Sequence, residues 1–359
     1  MTDEAARLES VWRHAASSRF VTGWSAGELA LRLAAGSDAN DDCAILDVDG
    51  SGALVIGSDY IRGVKFTLFE LGHLGFEDLG WYLAMANFSD VAAMGASPVG
   101  LLTVIRYPRE MAEGDFAEVL AGIAEACQAI GASPLGGDVG SAERLFLSGT
   151  AFGICERDRV LRRSGARAGD LLILTGTVGT AAAALVYFDH CKSNGDQLRH
   201  ELEDELLQSW RRPIARVTEG RMLAKQGAHA CQDVSDGLRD TVEQLCRASG
   251  VGCRVAADSL PIENSVRAVA DLAGLDPFAL ALSASVDFEL AAAIAPEDLD
   301  TCRESFEAAG VDLHPVGEFT AEQDLVLLSE NGEGPLPGTS WDHMTDDPAA
   351  ATVKATRRP

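Results

Sequence analysis

The sequence has no apolar run approaching the roughly 18–20 residues that a membrane-spanning helix requires. Its first residues, MTDEAARLES, are acidic where a signal peptide would be basic and then apolar. The eight cysteines (Cys43, Cys127, Cys155, Cys191, Cys231, Cys246, Cys253 and Cys302) include no CxxC pair. Such dispersal argues against a zinc site or a disulfide framework and for reduced, mostly buried thiols. The seven histidines form no HxxxH pair. The common phosphate-binding devices are missing as well. There is no GxxxxGK loop followed by Ser or Thr, and no GxGxxG with an acidic residue at the expected distance. No GxSxG turn or paired Cys and His argues for a covalent nucleophile. Positive charge is scarce: 29 Lys and Arg stand against 55 Asp and Glu, a net charge of -26. Such a surface repels nucleic acid and anionic membranes, which need positive neutralisation. These absences predict a cytoplasmic protein without nucleic-acid or membrane partners.

What is present is a chain of 359 residues, 47% hydrophobic, enough for two domains. Residues 11–36 read as a helical lead-in. Ala44–Val48 and Ala53–Ser58 flank the turn signal Asp49-Gly50-Ser51-Gly52 and read as a hairpin. Phe76–Met94 reads as a helix capped by Gly95. A strand at 101–106, a helix at 110–131 and a strand at 145–155 follow. A charged, Gly-containing connector near 156–170 suggests a boundary. Beyond it lie a strand at 171–175, a GTVG turn suited to ordinary packing, and an alanine-rich helix from Thr180. A helix from Pro213 to 227 is expected next, then one at 236–249 before a strand near Cys253. The segment 287–294, a helix at 296–309, and strands near 312–317 and 324–329 complete the chain. The expected fold is α+β in two layered domains, 1–155 and 156–344, with a flexible tail at 345–359.

Five short segments place Asp beside Gly, Ser or another Asp at the edge of an apolar run. They are Asn40-Asp41-Asp42-Cys43-Ala44, Gly57-Ser58-Asp59, Asn87-Phe88-Ser89-Asp90, Gly136-Gly137-Asp138 and Asp233-Val234-Ser235-Asp236-Gly237. An Asp there can project into a cleft, while Gly lets backbone approach a phosphate. Magnesium prefers oxygen ligands and shares them with substrate phosphates. Each segment alone also fits a turn or helix cap, and Ser235 or Asp236 could simply cap the next helix. Asp90 differs, because it sits on the buried stripe of an apolar helix, where an unpaired carboxylate is costly.

In this order and spacing the segments resemble the thiamine-monophosphate kinases of the aminoimidazole-ribonucleotide synthetase-like superfamily, from Ala39 to Trp341. The most specific stretch is Asn87–Pro98 (NFSDVAAMGASP), followed by Arg163–Asp170 (RSGARAGD) and Asp233–Leu238 (DVSDGL). The resemblance implies ATP and Mg²⁺ as cofactors. It implies metal binding by Asp42, Gly57, Ser58, Asp59, Asp90, Asp138, Asp233 and Asp236. Nucleotide contacts would come from Arg163, Ser235, Gly136 and Gly137, with Asp90, Asp138 and Asp236 closest to catalysis. It also implies a homodimer whose N-terminal strands join into a barrel.

The acceptor side departs from the family. Its substrate-contacting His is Lys65 here, which reads equally as a solvated strand-end lysine. Its GGEDYEL motif is Ala284-Ser285-Val286-Asp287-Phe288-Glu289-Leu290, so Val286 stands where the family has Glu. Trp341 still matches the aromatic that stacks on substrate. The expected function is therefore an ATP-dependent kinase acting on a small acceptor. Two alternatives stand beside it: an enzyme that activates a carbonyl or amide with ATP and forms a C–N bond, and a non-catalytic nucleotide-binding homologue.

Overall fold

The computed structural model describes residues 24–26, 29–33, 41–48, 52–61, 66–339 and 356, with side chains from 41 onward. Alternating apolar residues build its first sheet. The strands are β1 (Trp24–Ala26), β2 (Leu29–Leu33), β3 (Ala44–Val48), β4 (Gly52–Ile61), β5 (Ser97–Tyr107), β6 (Ser133–Ser141) and β7 (Phe146–Glu156). They run in the order β1-β2-β3-β4-β7-β5-β6, with only β5 and β6 parallel. In β4, Ala53, Val55, Gly57 and Ile61 turn inward on the period of two that a half-buried strand requires.

Against that inner face, after the short α1 (Thr67–Glu70), lies α2 (Phe76–Ala93). Apart from its first turn and Asp90, α2 is buried on every side, as a helix without a polar face must be. On its far side runs α3 (Glu113–Ala129). A Cβ at Gly80 would stand 2.1 Å from the Val119 carbonyl oxygen, and one at Gly122 1.9 Å from that of Glu77. Only glycine permits so close a helix pair.

The second sheet contains β8 (Leu171–Leu174), β9 (Ala230–Asp233), β10 (Gly252–Ala256), β11 (Leu290–Ile294), β12 (His314–Thr320), β13 (Leu325–Ser329) and β14 (Gly332–Pro335). Its order is β14-β13-β10-β12-β8-β11-β9. Around it stand α4 (Thr180–Leu185), α5 (His200–Arg211), α6 (Val217–Gln226), α7 (Leu238–Ser249), α8 (Asn264–Ala273), α9 (Pro277–Leu282) and α10 (Leu299–Ala309). Buried contacts join the two halves through α2. Trp81 Nε1 donates to the Pro213 carbonyl at 2.7 Å. Tyr82 stacks on Trp210, with ring centroids 5.6 Å apart. Among the described residues no helix is long and apolar enough to cross a membrane.

The expected hairpin, the 76–94 helix and both halves of the α+β order are present. Several expectations are corrected. Residues 24–26 and 29–33 of the helical lead-in are strands, because β2 finds backbone partners on β3 that a lone amphipathic segment lacks. The 213–227 helix begins at Val217, since Pro213 and Ala215 are spent on Trp81 and Met85. Of the segment 287–294 only Leu290–Ile294 is strand, Phe288 before it having φ 54°. The GGD segment lies within β6 rather than in a turn. Within the single chain the first sheet is open, with β1 and β6 at its edges among the described residues; the barrel expected across a dimer involves a second chain and is neither shown nor contradicted. Of the segment 345–359 only Thr356 is described, where it is buried and its carbonyl accepts from the Asp276 amide at 2.9 Å, which leaves the expectation for that segment untested. Helices α5, α8 and α9 were not anticipated.

Candidate active site

The C-terminal part of α2 carries three polar side chains, and each ties the helix to a different element. Asn87 Oδ1 accepts from the Asp59 amide of β4 at 2.9 Å, while its Nδ2 donates to the Leu83 carbonyl at 2.8 Å. Ser89 Oγ donates to Asp233 Oδ2, at the end of β9, at 2.6 Å. Asp90 meets Asp42 and Asp233: one carboxylate oxygen from each of the three lies within 4.8 Å of the others. The site thus forms where the start of β3, the middle of β4, the end of α2 and the end of β9 converge.

Gly57 explains how β4 passes this point. A Cβ there would sit 2.9 Å from Cys43 Sγ and 3.1 Å from Asp90 Oδ2. Any side chain would push into the carboxylate cluster. The loop after β9 supplies Ser235, whose Oγ donates to Asp233 Oδ1 at 3.0 Å. Asp236 lies close enough to act electrostatically on Asp42.

The electrostatics follow from three carboxylates in little water. Burial, reinforced by the charges of Asp233, Asp42 and Asp59, pushes Asp90 well above the usual carboxylate range. Burial and then Asp42 raise Asp233 to about 7. Asp42 is raised by burial and pulled back by Arg163. The Arg163 guanidinium donates to Asp42 Oδ1 from Nε at 3.1 Å and from Nη2 at 2.5 Å. Burial works against the arginine's charge, but Asp42 outweighs it and keeps the group protonated. The Arg163 backbone amide and the Arg162 side chain both donate to Asp41, at 3.1 and 2.9 Å, anchoring the connector beside β3.

These residues fit a divalent cation. The Asp42 side chain is fully buried, yet its Oδ2 has no hydrogen-bond partner. The donors are all oxygen, the set that Mg²⁺ favours. The neighbouring Cys43 thiol is held protonated by burial and by the Asp90 charge, so it offers no thiolate.

The predicted residues divide sharply. Asp42, Asp90 and Asp233 gather within 4.8 Å, Gly57 packs against Asp90, Ser235 bonds Asp233, and Arg163, Asp59 and Asp236 border the group. Ser58 is turned away from α2, its Oγ on the Gly149 carbonyl at 2.7 Å. Gly136, Gly137 and Asp138 lie elsewhere. Asp59 pairs with Gly149, Gly149 with Thr103, and Thr103 with Gly137. Three strand spacings, on the order of 14 Å, therefore separate Asp138 from the cluster. Asp138 is also exposed on the sheet face away from α2, paired with Arg106 at 2.5 Å. Val286 is fully buried and presents no surface to a ligand. Lys65 and Trp341 lie outside the described residues. Sequence reasoning missed Asp41, Arg162, Ser89 and Asn87 as site residues. The last two share the polar motif of Asp90, which was the available signal.

Two adjoining family models match the chain. The N-terminal domain of AIR synthase related protein covers residues 40–155, and the C-terminal domain covers 167–329. The chain belongs to the AIR synthase-related family. Within it, the chain is 34% identical to a thiamine-monophosphate kinase of Halobacterium salinarum, across 88% of this chain and 98% of that protein. Among solved structures, AaThiL complexed with AMPPCP and TMP superposes with a TM-score of 0.72 at 25% identity, covering 85% of this chain and 91% of the other. The hydrogenase maturation protein HypE in complex with ATP gives 0.67 at 18% identity, covering 86% and 90%. The latter likeness concerns the fold alone. The chain therefore sits in the thiamine-monophosphate kinase branch of this family.

Proposed function

We propose that the protein is a cytoplasmic, ATP- and Mg²⁺-dependent kinase that passes the γ-phosphoryl group to a small anionic acceptor. The observation that carries this reading is the meeting of Asp42, Asp90 and Asp233, with Asp42 Oδ2 left unpartnered. Nothing in folding calls for three carboxylates so close together. Magnesium bound there would supply the charge neutralisation on which phosphoryl transfer depends. Asp42, Asp90 and Asp233 would hold it, with the Gly57 carbonyl, Ser58, Asp59 and Asp236 as further candidate ligands. Arg163 would offer its bidentate edge to the phosphates, and Ser235 a hydroxyl to the nucleotide. Positioning is the main task, because an acceptor phosphate is already anionic and needs no base to remove a proton.

A homodimer belongs to the same reading. Leu102, Val104 and Ile154 are exposed on the sheet face away from α2, an apolar surface of the kind that marks an interface. Joining two such sheets into a barrel would cover it. It would also give Asp138, Gly136 and Gly137, remote from the cluster of their own chain, a route to the site of a partner. We assign residues 1–155 and 156–344 to the two domains.

A second reading rests on Val286. An apolar, fully buried residue stands where the resemblance predicts a substrate-binding Glu. Lys65 and Trp341 remain the candidate acceptor contacts. Phosphorus NMR of the wild-type protein with MgATP and thiamine monophosphate separates the two readings. A stable phosphorylated acceptor with ADP supports the kinase, and thiamine monophosphate is the first acceptor to try. ADP and inorganic phosphate together with an amide-type product from a carbonyl or amide acceptor would favour the carbonyl-activating chemistry.

A further inference from the structure

Arg163 is held from two sides. Its Nε and Nη2 face Asp42, while Nη1 donates to Gln244 Oε1, on α7, at 2.7 Å. The same Gln244 oxygen accepts from Nε2 of Gln232, on β9, at 3.2 Å. Two donors converging on one oxygen fix the orientation of this amide: its carbonyl must face the arginine. Gln232 is buried and its own Oε1 has no partner. The Arg163 main chain is pinned separately, through its amide on Asp41. The backbone is thus tied to Asp41, outside the three-carboxylate cluster, and one guanidinium nitrogen to a neutral amide, while only the Nε–Nη2 edge rests on a carboxylate of the cluster.

A divalent cation held by Asp42 would take the free Oδ2, on the same carboxylate whose Oδ1 this edge already holds. Two positive groups on one buried carboxylate repel, which loosens the hold of Oδ1 on the arginine. We propose that Gln244 is a positioning residue for Arg163: it anchors Nη1 while the guanidinium yields Asp42 to the cation and turns its Nε–Nη2 edge to the nucleotide phosphates. The inference rests on the kinase reading and adds to it a residue that the chain's motifs did not mark. A neutral amide suits the task. A carboxylate at this position would compete with phosphate for the arginine, and an apolar side chain would leave a buried N–H without an acceptor.

Calorimetry on the full chain tests it with two probes, Mn²⁺ alone and adenylyl imidodiphosphate with Mg²⁺. Q244A is expected to weaken nucleotide binding about tenfold and leave Mn²⁺ binding within about twofold. Q244E draws Arg163 away from Asp42, so it is expected to bind Mn²⁺ alone more tightly and nucleotide more weakly. A merely structural role would weaken both probes together and lower the melting temperature. That parallel loss, or wild-type nucleotide affinity in Q244A, overturns the proposal. A wild-type chain that takes up no nucleotide overturns the kinase reading and this inference with it. Normal uptake by the wild type together with an indifferent Q244A removes the inference alone.

Discussion

Asp90 and Asp138 come from similar sequence settings, a Ser-Asp and a Gly-Asp beside apolar residues, and they end in opposite circumstances. Asp90 closes a buried cluster with Asp42 and Asp233, and its carboxyl is pushed well above the usual range by burial and by those neighbours. Asp138 stands in an edge strand, exposed and paired with Arg106. Burial makes the difference. Carboxylates that repel one another inside a protein are tolerated only where something else repays them. An exposed ion pair at a sheet edge stabilises little and constrains little. The first region therefore declares a function within one chain. The second becomes informative only alongside the apolar face that it borders.

The largest expected effect is at Asp90. Asp90→Asn should reduce ATP turnover at least about 100-fold, as for loss of a metal-site group. The same change relieves a buried repulsion, so the melting temperature without divalent cations should rise by about 2–4 °C. Steady-state kinetics and thermal melts of one preparation check both signs, and near-normal turnover would sink the kinase reading.

Next comes Gly57→Ala, which places a methyl group against Cys43 and Asp90. We expect a loss of about 1–3 kcal/mol in stability, measured by urea denaturation, and weaker Mn²⁺ binding. A variant with wild-type stability and metal affinity would mean that the cluster has more room than its contacts imply.

Asp138→Asn gives a smaller stability change, within about 1 kcal/mol, as expected for a surface pair. If the edge completes a partner's site, nucleotide affinity should still fall. Val104→Glu, which charges the apolar face, should produce monomers by analytical ultracentrifugation and the same fall. Unchanged affinity in both variants would confine the active site to a single chain.

The smallest effect is a pH dependence away from the cluster. Burial raises Asp287 to about 6, although the amides of Gly179 and Ala181 and the Ser285 side chain favour its charged form. The folded chain then keeps this proton longer than the unfolded chain. Its contribution to stability is present below pH 4 and declines as pH rises toward 6. The difference in melting temperature between wild type and Asp287→Asn should therefore shift against the wild type across that interval. A constant difference would place the titration elsewhere.

Much of this arrangement was legible in the residues. The Asn87–Asp90 motif sat on a helix too apolar to tolerate a carboxylate without cause. The apolar run Ala53–Ser58 beside a turn signal read as a hairpin strand, but that its Gly57 faces this helix only the structure showed. Other parts were not legible, because their signals lie in partners distant in sequence. The lead-in at 24–33 carried an ambiguous pattern, and only pairing with β3 made it strand. Pro213 looked like a helix start until Trp81 claimed its carbonyl. Gln244 and Gln232 carried no motif at all.

The sequence by itself determined which carboxylates could matter, since short Gly- and Ser-flanked motifs and an Asp inside an apolar helix are local features. The tertiary structure decided which of them meet. Strand order set that outcome: β7 and β5 lie between β4 and β6, so Asp59 borders the cluster while Asp138 is carried to the far edge and the opposite face. Pairing order depends on contacts between residues far apart in the chain, and no local pattern encodes it.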